Sequence, residues 1–129
     1  MRYYFIELLA CPECKSPLRT YYVIKEDASE VDVDVEKVRC GTWCGLHRKP
    51  ADQVPIEECR KCVKRDIVEG VLICTNCGRW YPITDGIPIL IDDKFRREKE
   101  DREFLEKNLD KIPVEVRLLM KKPPLPVKQ

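Results

Sequence analysis

Histidine and glycine are scarce in this chain, and their scarcity argues against several kinds of enzyme site. No local pattern places a serine or cysteine nucleophile beside the single histidine, His47. None of the five glycines belongs to a loop that could cradle a phosphate. Carboxylates are plentiful, but they lie in charged runs that are typical of solvated surfaces. The sequence therefore predicts a protein that is not an enzyme.

Long apolar runs are also absent. No stretch approaches the roughly 20 apolar residues that a membrane-spanning helix needs. The apolar segment 3–10 is interrupted by Glu7 and leads directly into a cysteine pair, which is not the pattern of a secretory signal. We therefore expect a cytoplasmic protein without membrane association. Its eight cysteines are expected to bind metal in preference to forming disulfides.

Neither sign of charge is in excess, since 24 Lys and Arg residues stand against 23 Asp and Glu residues and give a formal net charge of +1. Bulk charge therefore does not indicate nucleic-acid binding. Of the 129 residues, 43% are apolar and 36% are charged, which is too little apolar side chain for a large core. A domain of this composition is expected to depend on bound metal for its stability.

Two cysteine pairs, about 60 residues apart, are the strongest motif in the chain: Cys11 with Cys14, and Cys74 with Cys77. Each C-x-x-C step lets two thiolates of a tight turn face one ion, and two such turns complete a tetrahedral four-cysteine zinc site. Four thiolates leave no open coordination position, so a structural zinc ion is favoured over a catalytic one. A redox function is not indicated, because neither pair begins a helix within a βαβ unit.

The flanks of the two pairs match as well. Each pair follows an apolar triplet and leads into a strand-like run, at residues 17–24 and at residues 79–83. This pattern predicts a zinc ribbon, in which two hairpin knuckles hold one ion from opposite sides. The predicted fold is thus a small α+β, metal-stapled domain. We divide the chain into a discontinuous zinc-ribbon domain (1–24 and 66–91), an insert with an acidic segment and a second cysteine cluster (25–65), and a charged helical tail (92–129).

The second cysteine cluster consists of Cys40, Cys44, Cys59 and Cys62. We interpret it as a second four-cysteine zinc site nested inside the first, so that one zinc ion or two are expected. The step Cys44-Gly45 repeats the step Cys77-Gly78 of the outer site.

Several alternatives stay open for the inner cysteines. The inner cysteines could form disulfides, as in intracellular proteins of hyperthermophiles, or remain free thiols. His47 is close enough to replace one cysteine as a ligand. Spacing alone also permits sequential sites, in which Cys11 and Cys14 share one ion with Cys40 and Cys44, and Cys59 and Cys62 share the other with Cys74 and Cys77.

The N-terminal and acidic segments are predicted from their periodicity. Residues 2–9 could form a strand or a short helix. Phe5, Leu8 and Leu9 have helical spacing, which favours a helical turn that packs on the ribbon through these side chains. In residues 25–37 alternate valines and acidic residues predict an edge strand with a charged outer face. A solvated acidic loop is the alternative for this segment.

Strand patterns are strongest in four segments, at residues 18–24, 67–73, 79–83 and 87–91. Pro88 cannot donate to a ladder, which places the last strand at a sheet edge. The tail predicts a charged helix over residues 92–110, with Asp92 or Asp93 as its N-cap, and a shorter helix with Pro113 in its first turn.

Two stretches together resemble a known family. Residues 8–18 read LLACPECKSPL and residues 67–90 read IVEGVLICTNCGRWYPITDGIPIL. They are similar to the two halves of the small zinc-ribbon proteins that activate methyltransferases. These proteins are the shared activating subunit of tRNA, ribosomal-RNA and release-factor methyltransferases in eukaryotes and archaea, with short bacterial relatives.

The resemblance implies a non-catalytic subunit that binds, solubilises and activates Rossmann-type, S-adenosylmethionine-dependent methyltransferases as a heterodimer. It implies that the four outer cysteines share one zinc ion, that the subunit adds an edge strand to the methyltransferase sheet, and that nucleic acid is met only indirectly. Two regions depart from the family pattern, because the insert carries four more cysteines and the helical tail is extra.

The predicted partner surface combines Leu8 and Leu9 with the last strand, which consists of Ile87, Pro88, Ile89, Leu90 and Ile91. An edge strand that is apolar on both faces is more than a small domain covers by itself. We expect Ile89 and Ile91 to fill pockets of the partner. The alternative is that the C-terminal helix folds back and covers this strand.

A nucleic-acid-binding zinc ribbon of the transcription or translation machinery is the second hypothesis. Segment 39–65 contains seven bases against three acids, and the bases are Arg39, Arg48, Lys49, Arg60, Lys61, Lys64 and Arg65. Salt dependence distinguishes the two hypotheses. Phosphate contacts weaken steeply with salt, whereas an apolar strand-addition interface does not.

Overall fold

A computed structural model describes residues 1–29, 33–38 and 40–126. These residues form a small α+β fold with two antiparallel sheets, and none of their helices is long and apolar enough to cross a membrane. In chain order the elements are β1 (Thr20–Ala28), α1 (Val35–Val38), β2 (Trp43–Cys44), β3 (Lys49–Pro50), α2 (Ile56–Cys62), β4 (Arg65–Ile73), β5 (Trp80–Thr84), β6 (Ile87–Pro88), α3 (Glu98–Asn108) and α4 (Val114–Arg117).

The larger sheet has the strand order β1-β4-β5-β6, and the smaller one pairs β2 with β3. Successive side chains of a strand point to opposite faces of the sheet. On β4, Leu72 enters a first hydrophobic core on one face, whereas Val71 and Ile73 enter a second core on the other face. The central strand is apolar on both faces because the sheet separates two cores.

The first core is closed by the N-terminal segment. A 3₁₀ helix at Tyr3–Leu8 confirms the predicted helical turn, but the predicted packing is wrong for Phe5 and Leu8, while Leu9 does pack on the first core. Tyr3 and Ile6 are 2% and 0% exposed, whereas Phe5 and Leu8 are 43% and 72% exposed. A 3₁₀ helix has three residues per turn, so residues 3 and 6 share a face where an α-helical pattern would select residues 5, 8 and 9.

The second core is closed by the C-terminal tail. The fully buried Trp80 stacks on Phe104 of α3 with ring centroids 5.9 Å apart, and Ile112 and Met120 are 1% and 3% exposed. The tail therefore folds back onto the sheet, as the alternative prediction held. It covers Trp80 and the central strands, however, and leaves Ile87 of β6 60% exposed.

The predicted strand in the acidic segment is wrong at its C-terminal end. Val35 begins α1, because the Asp34 carboxylate accepts the Glu36 N–H (3.1 Å) and so caps a helical turn. Residues 30–32 of the predicted strand lie outside the described residues. β1 runs to Ala28, beyond the predicted end at residue 24, because its pairing with β4 resumes after an irregularity between Val23 and Glu26 and continues to Ala28.

The boundaries of the last strand and of the tail helix also differ from prediction. β6 spans only Ile87–Pro88, although the Ile89 N–H still donates to the Pro82 carbonyl (2.9 Å). Helix α3 begins at Glu98, and the predicted N-cap Asp93 instead receives the guanidinium of Arg79. Residues Asp93–Phe95 form a separate 3₁₀ helix, and the other predicted N-cap, Asp92, lies at the N-cap position of that helix without a side-chain capping bond.

Candidate metal centre and partner surface

Both outer cysteine pairs lie in the same five-residue turn, which we call a knuckle. In the first, the Lys15 N–H donates to the Cys11 carbonyl and the Cys11 N–H donates to the Ser16 carbonyl, both at 2.8 Å. In the second knuckle the Gly78 N–H donates to the Cys74 carbonyl and the Cys74 N–H donates to the Arg79 carbonyl, also both at 2.8 Å. The fifth residue of each turn is left-handed, with φ 67° at Lys15 and 79° at Gly78. The two pairs are copies of one structural unit.

The two knuckles bring four sulfur atoms together. Cys11 Sγ is 3.7 Å from Cys77 Sγ, Cys14 Sγ is 3.4 Å from Cys74 Sγ, and all four lie within 4.8 Å of one another. A tetrahedral site with Zn–S bonds of about 2.3 Å has sulfurs roughly 3.8 Å apart. The donor set and its spacing therefore fit one zinc ion, in the nested arrangement and not the sequential one.

Hydrogen bonds and burial act in opposite directions on these thiols. Bonds from the side chains of Ser16 and Asn76 lower the pKa of the Cys14 thiol to about 5, which favours the thiolate that a metal binds. Burial raises the pKa of Cys74 to about 12. A bound cation offsets that burial, because metal ligands bind as thiolates and release their protons.

The fully buried Tyr81 adds a further contact, with its hydroxyl 3.1 Å from Cys11 Sγ. A thiolate can only accept a hydrogen bond, so the hydroxyl donates when Cys11 binds metal. Burial and this hydrogen bond raise the pKa of Tyr81 well above its usual range, which keeps the donor proton in place. Sequence reasoning treated Tyr81 only as a strand residue and missed this contact.

The C-terminal tail is tied to the second knuckle, which the sequence did not indicate. The Gly78 carbonyl accepts the N–H groups of Lys121 (2.8 Å) and Lys122 (2.9 Å), and the Trp80 N–H donates to the Lys122 carbonyl (3.0 Å). The indole N–H of Trp80 donates to the Pro123 carbonyl (2.7 Å). The tail thus occupies the part of the β5 edge that the short β6 does not reach.

The inner cysteines are less tightly grouped than the outer ones. Together with His47 they line one cavity of about 20 Å³; these cysteines are Cys40, Cys44, Cys59 and Cys62. Among the described residues, only the outer four cysteines form a set whose sulfurs all lie within 4.8 Å of one another. All eight cysteines are free thiols in this structure. Burial, reinforced by the other three inner thiols, raises the pKa of Cys62 to about 12.

The predicted register of the inner knuckle is wrong. Cys44 is the first residue of a turn, like Cys11 and Cys74, and not the fourth residue, which is the position of Cys77. The Arg48 N–H donates to the Cys44 carbonyl (2.8 Å) and Arg48 is left-handed with φ 55°. Gly45, which suggested the other register, is required for a different reason, since a Cβ there would lie 2.7 Å from the Ile6 Cβ.

The predicted partner residues divide into two groups. Leu8 and Ile87 are 72% and 60% exposed, and they are free to meet a partner. Leu9 and Leu90 are half-buried and pack against the margin of the first core. Two of the predicted partner residues are thus exposed, and two others pack on the first core.

The remaining partner residues face the tail. Ile89 and Ile91 line a groove of about 350 Å³ whose other wall includes Phe104 of α3. Pro88 pairs with Ile83 at the edge of the sheet. The tail therefore forms a wall beside the last strand without enclosing it.

Several of the predicted nucleic-acid-binding bases are engaged within the protein. Arg48 lies over the Tyr21 ring, 4.6 Å from its centroid. Three others pair with acids, namely Arg60 with Glu57, Lys61 with Glu58, and Arg65 with Glu26. Arg39 lies outside the described residues. These contacts reduce the positive charge that segment 39–65 offers to a phosphate backbone.

A family model for Trm112p-like proteins matches residues 2–86, about two thirds of the chain. The match includes both outer knuckles and strands β1, β4 and β5. The chain belongs to the Trm112p-like family. Trm112p-like proteins are the activator subunit family of methyltransferases and are non-catalytic partner subunits, so the resemblance is confirmed. The Trm112p-like match ends before β6 and the tail. Among curated proteins, none matches the chain significantly.

Proposed function

We propose that this protein is the zinc-binding subunit of a heterodimer with Rossmann-type, S-adenosylmethionine-dependent methyltransferases, which it binds, solubilises and activates without performing catalysis. Membership of the Trm112p-like family is the observation that carries the proposal. The partners would act in the cytoplasm on tRNA, ribosomal RNA or translation factors. This subunit would then meet nucleic acid only through the enzyme.

One zinc ion in the outer site gives the subunit its shape. Cys11 and Cys14 lie between the N-terminal 3₁₀ helix and β1, whereas Cys74 and Cys77 connect β4 to β5. A closed site of four thiolates has no position for substrate or water, so the role of this ion is structural. Because the first knuckle directly follows Leu8 and Leu9, the ion fixes these side chains relative to the sheet.

The proposed docking surface is the outer edge of β6 with the apolar side chains beside it. The Ile89 N–H is directed inward to the Pro82 carbonyl, so the alternating backbone groups of Pro88 and Leu90 point outward. A partner strand can pair with these outward groups, which is recognition by strand addition. Leu8 and Ile87 extend the contact, and the groove lined by Ile89 and Ile91 accepts partner side chains.

The test is to introduce charge at the exposed apolar residues of this surface. Leu8→Asp combined with Ile87→Asp should abolish partner binding and leave folding intact, because both side chains already face solvent. Leu118→Asp is the matched control, since Leu118 is 71% exposed but lies on the tail beyond α4. Partners retained at high salt are identified by mass spectrometry and assayed for methyl transfer from labelled S-adenosylmethionine.

The wild-type protein and the control should retain and activate a methyltransferase, and the double variant should lose at least about tenfold in retained enzyme, or about 1.4 kcal/mol. Retention by the double variant at wild-type level would show that the surface is wrong. If the wild-type protein retains no methyltransferase but binds RNA in a salt-sensitive way, the function itself is wrong and the nucleic-acid hypothesis replaces it.

A further inference from the structure

The turn at Cys44 is a third copy of the outer knuckle. Its hydrogen bond from residue 48 to the Cys44 carbonyl has the same length, 2.8 Å, as the equivalent bonds of both outer knuckles. Cys44 also pairs across the small sheet with Lys49, the sixth residue, as Cys11 and Cys74 do with their own sixth residues. The outer knuckles carry their second metal ligand at the fourth position, and in the third knuckle this position is His47.

The side chain of His47 is oriented as a metal ligand would be. Its Nδ1 lies 3.2 Å from Cys44 Sγ, and its Nε2 lies 3.6 Å from a carboxylate oxygen of Glu58. A metal-binding histidine usually gives its second ring N–H to a carboxylate, which fixes the tautomer and the ring. Tetrahedral bonds of about 2.3 Å to sulfur and 2.05 Å to nitrogen place the two donor atoms roughly 3.6 Å apart, close to the separation seen here.

Helix α2 supplies two further ligands and the carboxylate. Cys59 and Cys62 are three residues apart, so their side chains lie on the same face of the helix. Both line the same cavity as Cys44 and His47, and its volume of about 20 Å³ holds one water-sized occupant. Glu58 is the residue before Cys59, so one helix carries both thiols and the carboxylate that lies beside His47 Nε2.

Cys40 also lines this cavity, but its loop is attached to the N-terminal 3₁₀ helix. The Glu7 carboxylate accepts the N–H of Gly41 (2.8 Å) and that of Thr42 (3.2 Å), the two residues that follow Cys40. The position that matches the second ligand of each outer knuckle is His47, and Cys40 lies outside the turn. Cys40 is therefore better explained as part of the loop attachment to the N-terminal 3₁₀ helix.

We propose that the inner cluster binds a second zinc ion through Cys44 and His47 of the third knuckle and through Cys59 and Cys62 of α2. Three thiolates and one imidazole are a zinc donor set, and they replace the four-cysteine set that the sequence pattern predicted. The inner donors are more widely spaced than the outer sulfurs. Binding therefore draws α2 toward the knuckle.

The test uses the full chain, purified under reducing conditions, with zinc measured per chain. The wild-type protein should contain about two zinc ions and His47→Ala about one. Cys40→Ser should keep both ions, and His47→Cys should also keep both because it restores the spacing of the outer knuckles. Titration with cobalt adds a spectroscopic signature, since replacing nitrogen by sulfur changes the visible absorption of the inner ion.

One zinc ion in the wild-type protein would overturn the second site. The proposed ligand set would be overturned if His47→Ala still bound two ions. It would also be overturned if Cys40→Ser lost the second ion, whatever the other variants show. Recovery of the second ion in His47→Cys ties its loss from His47→Ala to the missing donor atom, because cysteine restores a metal donor at position 47 and alanine does not.

Discussion

The outer metal centre and the inner cluster contain the same knuckle, yet only the outer donors are closely grouped. The outer knuckles are anchored by long elements, since the second one joins β4 to β5 and both strands lie in the four-stranded sheet. The third knuckle is anchored by β2 and β3, which have two residues each, and it faces the seven-residue helix α2. A turn is determined locally, whereas the distance between two turns is set by the elements that hold them.

Burial follows the same division. Cys11 and Cys74 are fully buried in the first core, together with Leu72 and Tyr81, so the outer site forms one body with the sheet. Of the inner donors, Cys44 and Cys62 are buried, but Cys59 is half-buried and the His47 side chain is 26% exposed. We therefore expect the outer ion to determine folding and the inner ion to order the insert only.

Removing one ligand from each site should give the largest difference between them. Cys74→Ser should leave the chain unfolded or insoluble, because structural zinc contributes on the order of 10 kcal/mol, comparable to the whole stability of a small domain. Cys62→Ser should stay folded and keep the outer ion. Circular dichroism melts and zinc analysis measure both effects. A metal-free Cys74→Ser protein that is soluble and melts cooperatively would contradict this expectation.

The second-largest difference between the two sites is expected in how readily each releases its zinc ion to a chelator. On the proposed ligand set, the inner ion must draw α2 inward when it binds, and even about 1.4 kcal/mol of such reorganisation makes its affinity tenfold weaker. Zinc release to a colorimetric chelator should then occur in two steps. The second step should coincide with loss of the sheet signal in circular dichroism. Simultaneous release of both ions would show that the two sites are coupled.

The outer site could be predicted from the sequence because all its determinants are local or repeated. Each C-x-x-C lies between an apolar triplet and a strand-like run, so the match between the two copies indicated their partnership. The proposed role of His47 was harder to predict, because Cys44-Gly45 suggested a register in which His47 lies outside the turn. The left-handed backbone at Arg48, which fixes the true register, has no signature in a residue that is not glycine.

Packing between distant segments could not be read from periodicity. Leu8 was expected to pack inward, but the 3₁₀ helix selects Tyr3 and Ile6 instead. The attachment of the tail depends on main-chain hydrogen bonds from Lys121 and Lys122 to Gly78, which no side-chain pattern encodes. Such contacts join residues more than 40 positions apart in the sequence.

Changes at residues that contact the ligands should also affect the two sites differently, but with smaller effects than removal of a ligand. Glu58→Ala removes the carboxylate beside His47 Nε2 and should weaken binding of the inner ion by about 10- to 100-fold, as loss of an orienting partner commonly does. Competition with a chelator of known affinity measures the change. Glu57→Ala, one residue earlier on α2, is the control and should leave the affinity unchanged.

The equivalent change at the outer site is Tyr81→Phe, which removes the hydroxyl beside Cys11 Sγ. Loss of this buried donor should destabilise the fold by about 1–2 kcal/mol without releasing zinc, because the four sulfurs remain in place. Chemical denaturation of the zinc-loaded protein measures the change. Release of the outer ion from Tyr81→Phe would show that this site, too, depends on its surroundings for binding.

The smallest effect is expected at the left-handed residues of the knuckles. Lys15 (φ 67°) and Arg48 (φ 55°) adopt a conformation that costs about 1 kcal/mol more for them than for glycine, partly offset by the greater freedom of glycine in the unfolded chain. Lys15→Gly also removes an exposed hydrogen bond from Lys15 Nζ to the Pro12 carbonyl (2.7 Å), so it should raise the melting temperature only slightly, by at most a few degrees. Arg48→Gly should not, because it also removes the guanidinium from the Tyr21 ring and its hydrogen bond to the Tyr21 carbonyl (3.3 Å). Calorimetry of both zinc-loaded variants decides the point: equal increases would show that the contacts of the inner knuckle add nothing to its stability.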